Sequence, residues 1–361
     1  MRRSAPLSLL LWTCAAILSL PACDSTGAWV PQDTAVEEVF LDSADGREDP
    51  TPQQFTVMTF NVGTTDHLQH DKDEEEGDGD GYTSTHAAQN AALYSNNLAW
   101  RPAEDALRGF LTEERPHVVF FQELFFDPWC GDIDPDPGLD FICDAHDPEG
   151  PKQVERLLGE DYHIACAAGH PDNCVGVRKD FGTLPDCPGD GLCMAGLEGL
   201  PPPGGCTKGE RVGTAVIRLM DGRLIHAVNA HTVAGMTEED MACRKAHFEQ
   251  IFVDRGDGKP AAFGEVNLVA GDMNTDPFVM AGMDPSADFW NQHVGDGLAF
   301  HYISSDSVDG PPTIATILHI DHVVSDLIHG SCVVVGNSDG VPPVMDTTYW
   351  DHRPVLCTVE L

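Results

Sequence analysis

The chain has 361 residues, 42% hydrophobic and 22% charged, and a formal charge of −39 from 20 basic and 59 acidic residues. That length holds one large α/β domain or two smaller ones, and that apolar content builds a core, so disorder throughout is excluded. A surface this negative repels nucleic acid and anionic lipid at long range, so an anionic substrate needs a cation held locally.

Met1-Arg2-Arg3 precedes an apolar run from Leu7 to Leu20 that ends in Leu20-Pro21-Ala22-Cys23. This is the pattern of a secretory signal over residues 1–22, too short for a comfortable membrane span. Leu20 to Cys23 also looks like a bacterial lipobox, in which Cys23 becomes an acylated membrane anchor; plain secretion is the alternative, given the proline inside it. Either route places the chain outside the cytoplasm, secreted or anchored in the cell envelope. Cleavage leaves 18 basic against 59 acidic residues, a charge of −41. Residues 23–54 are acidic, proline-containing and aperiodic, and read as a tether. Beyond Cys14 and Cys23 there remain ten cysteines, an even number in a chain with an export signal, so disulfides are expected. Zinc is the alternative, but no paired CxxC knuckles occur.

The folded domain is expected over 55–361. Phe55 to Asn61 alternates as a strand with Asn61 at its end. Asp71 to Gly81 is strongly acidic, yet an EF-hand loop counted from Glu76 would need a glutamate where Ala87 stands. A solvated loop is expected there, with a structural calcium site of another type as the alternative. Helices are predicted over Ala87–Leu98 and Ala103–Leu111, then a buried strand, Val118–Phe121, that delivers Gln122-Glu123. From about 127 to 208 the periodicity fails, with seven cysteines and many Pro and Gly. This reads as a disulfide-stapled insertion holding a small helix over Lys152–Leu158 and a strand over Tyr162–Ala167. Val212–Leu219 and Leu224–Asn229 form a predicted hairpin leading to His231. A helix over Glu238–Phe252 follows, with Thr237 as N-cap and Asp240 completing a capping box. The short apolar run Val266–Ala270 is a predicted buried strand that exposes Asp272 and Asn274 at its end. A short helix is predicted over Ser286–His293, and strands over Leu318–Val324, carrying Asp321, and Val355–Leu361, preceded by Asp351 and His352. Strands alternating with helices and hairpins predict a mixed-sheet α/β domain.

Taken singly, each of these polar residues reads as a turn or surface residue. Together, and in this order, Thr59–Val62 (TFNV), Gln122-Glu123, Asn229–Thr232 (NAHT), Gly271–Pro277 (GDMNTDP), His319–Asp326 (HIDHVVSD) and Trp350–Val355 (WDHRPV) resemble the endonuclease/exonuclease/phosphatase superfamily, which includes DNase I-like nucleases and neutral sphingomyelinases. The resemblance implies a two-sheet α/β sandwich of the DNase I-like type with a disulfide-rich insertion, Mg²⁺ (or Mn²⁺) as cofactor, and phosphoester hydrolysis. It implies a metal-side set of Asn61, Glu123 and Asp351. His231 matches the phosphate-contacting histidine, Asp272 and Asn274 the pair that orients nucleophile or phosphate, and Asp321 with His352 a catalytic dyad. Glu210 in Gly209-Glu210-Arg211 is a looser match to a DNase-type glutamate. Three positions depart from the pattern: Trp350, His322 and Thr232. His352, held by Asp321, is the expected general base with Asp272 as competitor, and both dyad side chains are expected at the sheet rim. The expected substrate is a phospholipid, sphingomyelin first, since Gln122–Phe126 and Ala270–Asn274 resemble the sphingomyelinase branch. Extracellular DNase I-like nuclease and non-catalytic binding module are the alternatives. No protein partner is expected.

Overall fold

The structure, a computed structural model, describes residues 53–63, 83–94, 97–134, 138, 140–189, 191–196, 206, 211–314 and 317–361. The signal and Cys23, the tether through residue 52, the acidic stretch at 71–81 and Glu210 lie outside the described residues. Among those described, no helix is long and apolar enough to cross a membrane.

The first strand, β1 (Gln54–Asn61), shows how the layers form. Its odd-numbered Phe55 and Val57 enter one core, and its even-numbered Met58 and Phe60 enter another. Period-two alternation with apolar residues on both faces demands cover on both sides. The parallel neighbour β2 (Val118–Gln122) divides its residues the same way, Val118 and Phe120 against Val119 and Phe121. One hydrogen-bonded layer runs from β12 (His329–Val334) through β13 (Val355–Glu360), β1, β2 and β4 (Cys174–Arg178) to β3 (Tyr162–Ala167). The second runs from β7 (Val212–Leu219) through β8 (Leu224–His231), β9 (Asn267–Asp272) and β11 (Asp321–Ser325) to β10 (His301–Tyr302), with β5 (Gly182–Thr183) on β7. A short strand, β6 (Gly191–Gly196), pairs with β3 on one side and β7 on the other, joining the layers.

Between the layers, Val57, Phe120 and Val355 pack with Ile217, Ala227, Leu268 and Val323. Burying each larger side chain of this set stabilises the fold by about 1.5–3 kcal/mol. The outer face of the first sheet is covered by α1 (Ser84–Tyr94), α2 (Arg101–Glu114) and α3 (Gln153–Leu158), and that of the second by α4 (Glu238–Phe252) and α5 (Pro285–Trp290). The result is a two-sheet α/β sandwich, the architecture expected from the sequence.

Helix α4 begins as its sequence requires: the Thr237 hydroxyl accepts from Asp240 N, and the Asp240 carboxylate accepts from Thr237 N. It is locked to α5 by Arg244, fully buried, which donates to Asp284 Oδ2 at 2.7 Å, Ser286 Oγ at 2.9 Å and the Val233 carbonyl at 2.6 Å. Breaking a buried pair of this kind destabilises by about 3–5 kcal/mol. Since Val233 ends the His231 segment, the clamp also fixes the site.

All ten described cysteines are paired: Cys130–Cys143, Cys166–Cys174, Cys187–Cys193, Cys206–Cys243 and Cys332–Cys357. Three pairs staple the expected insertion at 127–208. That stretch holds more regular structure than its sequence announces, since β3, β4, β5 and β6 all lie in it. The strand predicted over Leu318–Val324 starts later, at Asp321, because Thr313 Oγ1 takes the Ile320 and Asp321 amides at 3.0 Å each. The helix predicted to reach Leu98 ends at Tyr94.

Candidate active site

The register of the second sheet sets out one row of charged side chains. Parallel β8 and β9 place His231 opposite Asp272, and antiparallel β9 and β11 place Asp272 opposite Asp321. Directly paired residues share a face. This face is the inner one, because Ala227 and Ala270, at the same parity as His231 and Asp272, lie in the inter-sheet core. The first sheet supplies the opposing groups: Asn61 ends β1, Glu123 follows β2, and His352 precedes β13.

Asp272 is the hub. Its Oδ2 accepts from Asn61 Nδ2 and Asn274 Nδ2, both at 3.0 Å, and its Oδ1 accepts from Asn274 N at 2.8 Å. The Nε2 atoms of His231 and His352 each lie 3.8 Å from the same Oδ2. His231 Nε2 is also 3.2 Å from Glu123 Oε1, to which Asn61 Nδ2 donates at 3.3 Å. His352 Nδ1 meets Asp321 Oδ2 at 2.8 Å. Asp351 is close enough for its carboxyl to feel the charges of His352, Glu123 and Asp272. The structure therefore brings together eight of the nine residues singled out in the sequence, the ninth being Glu210.

The expected rim position of the dyad is corrected. Asp321 is 0% and His352 5% exposed. The two sheets close over the pair, and Asp321 Oδ1 has no hydrogen-bond partner.

Backbone outliers mark the site. Glu123 has φ +56° and Asn274 has φ +49°, left-handed conformations that cost a side-chain-bearing residue on the order of 1–3 kcal/mol. At Glu123 this turn interrupts the strand alternation and directs the carboxylate toward Asn61 and His231. Gly271 has φ +142°, and a Cβ there would overlap the Ala230 carbonyl, so β8 and β9 approach closely only with glycine at that position.

Electrostatics follow from burial and proximity. Burial pushes the Glu123 carboxyl up, but the hydrogen bond and charge of His231 outweigh it and hold the group below the usual range. Burial lowers both histidines, yet Glu123 raises His231, and Asp321 and Asp272 raise His352 well above the ordinary imidazole range. Asp272 is raised by its own burial, against the pull of His352. Burial pushes Asp351 up to about 6; His352 opposes this while Glu123 and Asp272 add to it.

A supporting layer went unassigned in the sequence, although its members stand in the same motifs. Gln122 Nε2 donates to Asn229 Oδ1 at 2.7 Å, and Asn229 Nδ2 donates to the carbonyls of Phe121 and Cys174. Asp276 accepts from the amides of Phe278, Val279 and His319, tying the Asp272 turn to the approach of β11. Of the departures from the family pattern, Trp350 packs against Phe60 in the helix-side core, and Thr232 Oγ1 donates to the Met273 carbonyl at 2.6 Å. His322 is buried beside Trp290 and Tyr302. All three are packing residues, and none reaches into the row.

No protein-family model matches the chain, and no curated protein matches it. Solved structures resemble it at low identity. A humanised D. rerio TDP2 carrying 14 mutations is 11% identical over 85% of this chain and 98% of that one, with a TM-score of 0.47. An endonuclease/exonuclease/phosphatase family protein from Bacteroides thetaiotaomicron is 13% identical over 86% and 96%, with a TM-score of 0.47. ANGEL2, a 2′,3′-cyclic phosphatase, is 12% identical over 86% and 96%, with a TM-score of 0.48.

Proposed function

We propose that this chain is an exported, divalent-metal-dependent phosphoester hydrolase of the endonuclease/exonuclease/phosphatase superfamily. The observation that carries the reading is the Asp272 carboxylate, held by two asparagines between two histidine Nε2 atoms at 3.8 Å each. A binding module has no need for buried ionisable groups converging on one oxygen.

The groups beside Asp272 fit a hard cation. Asp351 shares the site with a second carboxylate, Glu123, and burial first, with the Glu123 and Asp272 charges, pushes it up to about 6 against the pull of His352. Glu123 Oε2 lies where a Cβ on Gly63 would be, so glycine leaves that oxygen its space. An all-oxygen set suits Mg²⁺ or Mn²⁺, held by Glu123 and Asp351 with Asn61 alongside. Such a cation neutralises phosphoryl oxygens that otherwise repel a nucleophile.

The protein's own groups supply the proton transfers. His352, between Asp321 and Asp272, holds its proton well above the usual range and serves as an imidazolium partner for a phosphoryl oxygen. That leaves Asp272 as the base. Its carboxyl is raised by burial and so is more basic than a free aspartate, and it accepts a proton from the attacking water. The water oxygen bonds to phosphorus as the opposite ester P–O bond breaks. His231, kept protonated by Glu123, gives its proton to the leaving oxygen. Water and phosphoester are thereby converted to phosphate product and alcohol.

For the substrate we favour a phospholipid such as sphingomyelin. A charge of −41 on the mature chain disfavours duplex DNA, and Gln122–Phe126 resembles the sphingomyelinase branch. Export is supported by five disulfides, which persist in oxidising compartments. A panel of sphingomyelin, phosphatidylcholine, plasmid DNA and inositol phosphates, assayed with Mg²⁺, tests the choice. Sphingomyelin turnover above the rest is expected; preferential DNA cleavage replaces the lipid with a nucleic acid, and inactivity on all of them contradicts the hydrolase.

A further inference from the structure

Eight of the eleven described arginines in this acidic chain are neutralised. Arg101, Arg108, Arg115, Arg156, Arg178, Arg223, Arg244 and Arg255 all pair with carboxylates. Among the described residues, Arg211, Arg218 and Arg353 do not. Arg218 is exposed near the far end of β7. Arg353 donates to the Trp350 and His352 carbonyls, clamping the turn that carries His352. Arg211 has no such employment: it is half-buried, and its Nε is shielded from solvent without a hydrogen-bond partner.

Its position is set by the sheet. Val212 pairs with Ala230, and the His231 amide donates to the Arg211 carbonyl at 2.9 Å, so Arg211 stands directly across from His231. The row across the inner face is therefore Arg211, His231, Asp272, Asp321. Val212 packs in the outer core beneath α4, so by strand alternation Arg211 takes the opposite, inner face. The Arg211 charge is felt by His231 and also by the buried His247 of α4. The shielded Nε lacks an acceptor, which an oxygen of a bound anion would supply.

We infer that Arg211 binds the substrate, donating through its guanidinium to non-bridging oxygens of the phosphoester. It adds a permanent positive charge to the protonated His231 and His352 in a chain whose surface otherwise repels an anionic substrate. The inference rests on the hydrolase reading and assigns it a substrate-binding residue. A planar fork of N–H donors matches phosphate oxygens two at a time, which a lysine cannot reproduce. The ligand class is a phosphoester or phosphate anion.

The test compares wild type with Arg211→Gln, Arg211→Lys and, as an exposed-arginine control, Arg218→Gln. Two readouts are taken with Mg²⁺ present: steady-state hydrolysis of bis(p-nitrophenyl) phosphate, and calorimetric binding of inorganic phosphate. Arg211→Gln should raise KM and the phosphate Kd together by about 10- to 100-fold, the scale of a lost charge-assisted hydrogen bond, with kcat much less affected. Arg211→Lys should recover part of the loss, and Arg218→Gln none of it should show. Circular dichroism checks that the variants fold, and the Arg211→Lys comparison stands if Arg211→Gln does not. Unchanged KM and phosphate Kd in a folded Arg211 variant overturn the inference while leaving the hydrolase intact. A wild-type protein that binds phosphate through Arg211 but hydrolyses no phosphoester overturns the hydrolase and leaves the anion site. Failure of wild type to bind phosphate overturns the inference.

Discussion

Asp272 shows how much a single carboxylate depends on its neighbours. Two amides fix its orientation and burial raises its basicity, so its chemistry belongs to Asn61 and Asn274 as much as to itself. Gly63 has a similar influence on Glu123, through the absence of a side chain. A Cβ there would overlap Glu123 Oε2, and the Gly63 amide donates to Asn61 Oδ1 at 2.9 Å. Gly63→Ala is expected to leave the fold intact and weaken Mg²⁺ binding by about 10- to 100-fold, the usual scale when a ligand's support is disturbed. Isothermal titration with Mg²⁺ measures it, and an unchanged affinity would separate Glu123 from the cation. These residues were legible in the sequence as strand-end polar groups in a fixed order. The role of Gly63 was not, because nothing in Val62-Gly63 says which carboxylate will come to lie against it.

At the scale of elements, the site depends on where strands stop. The β1–β2 pair is latched at the end away from the site: the Thr56 amide donates to His117 Nδ1 at 3.0 Å, and the His117 amide donates to the Thr56 carbonyl at 2.9 Å. Burial, with Arg178 nearby, pushes the His117 imidazole down to about 4. The folded chain therefore leaves His117 neutral between about pH 4 and 6.5, where the unfolded chain protonates it. Its contribution to stability is present above pH 6.5 and is lost as the pH falls toward 4. His117→Gln should flatten that part of the curve of melting temperature against pH; an unchanged slope would remove the latch. Elements with strong local signals were readable, as at Thr237–Asp240, where the capping box lies where its spacing predicts. Strand β12 was not. Its residues are mostly exposed at the sheet edge, so no apolar alternation announces it.

At the scale of the molecule, two sheets facing each other across a shared core place groups from distant segments within a few ångströms. His352 and Asp321 meet at 2.8 Å from opposite layers. The layered architecture followed from alternating strands and helices. The strands inside the cysteine-rich stretch did not, because β4 (Cys-Val-Gly-Val-Arg) owes its place to pairing with β2 and β3 and to the Cys166–Cys174 bridge. Those are long-range terms that a local pattern cannot carry. The same long-range assembly creates the hydrolase proposed here, and its central claim is that a cation-dependent site uses Asp272 as base. The most direct measurement is hydrolysis of bis(p-nitrophenyl) phosphate by wild type and Asp272→Asn, each with Mg²⁺ and with EDTA. Wild type should turn over with Mg²⁺ and stop with EDTA, and Asp272→Asn should fall by about 100-fold or more in kcat. Wild-type turnover that survives EDTA, or an Asp272→Asn protein as fast as wild type, would contradict the account.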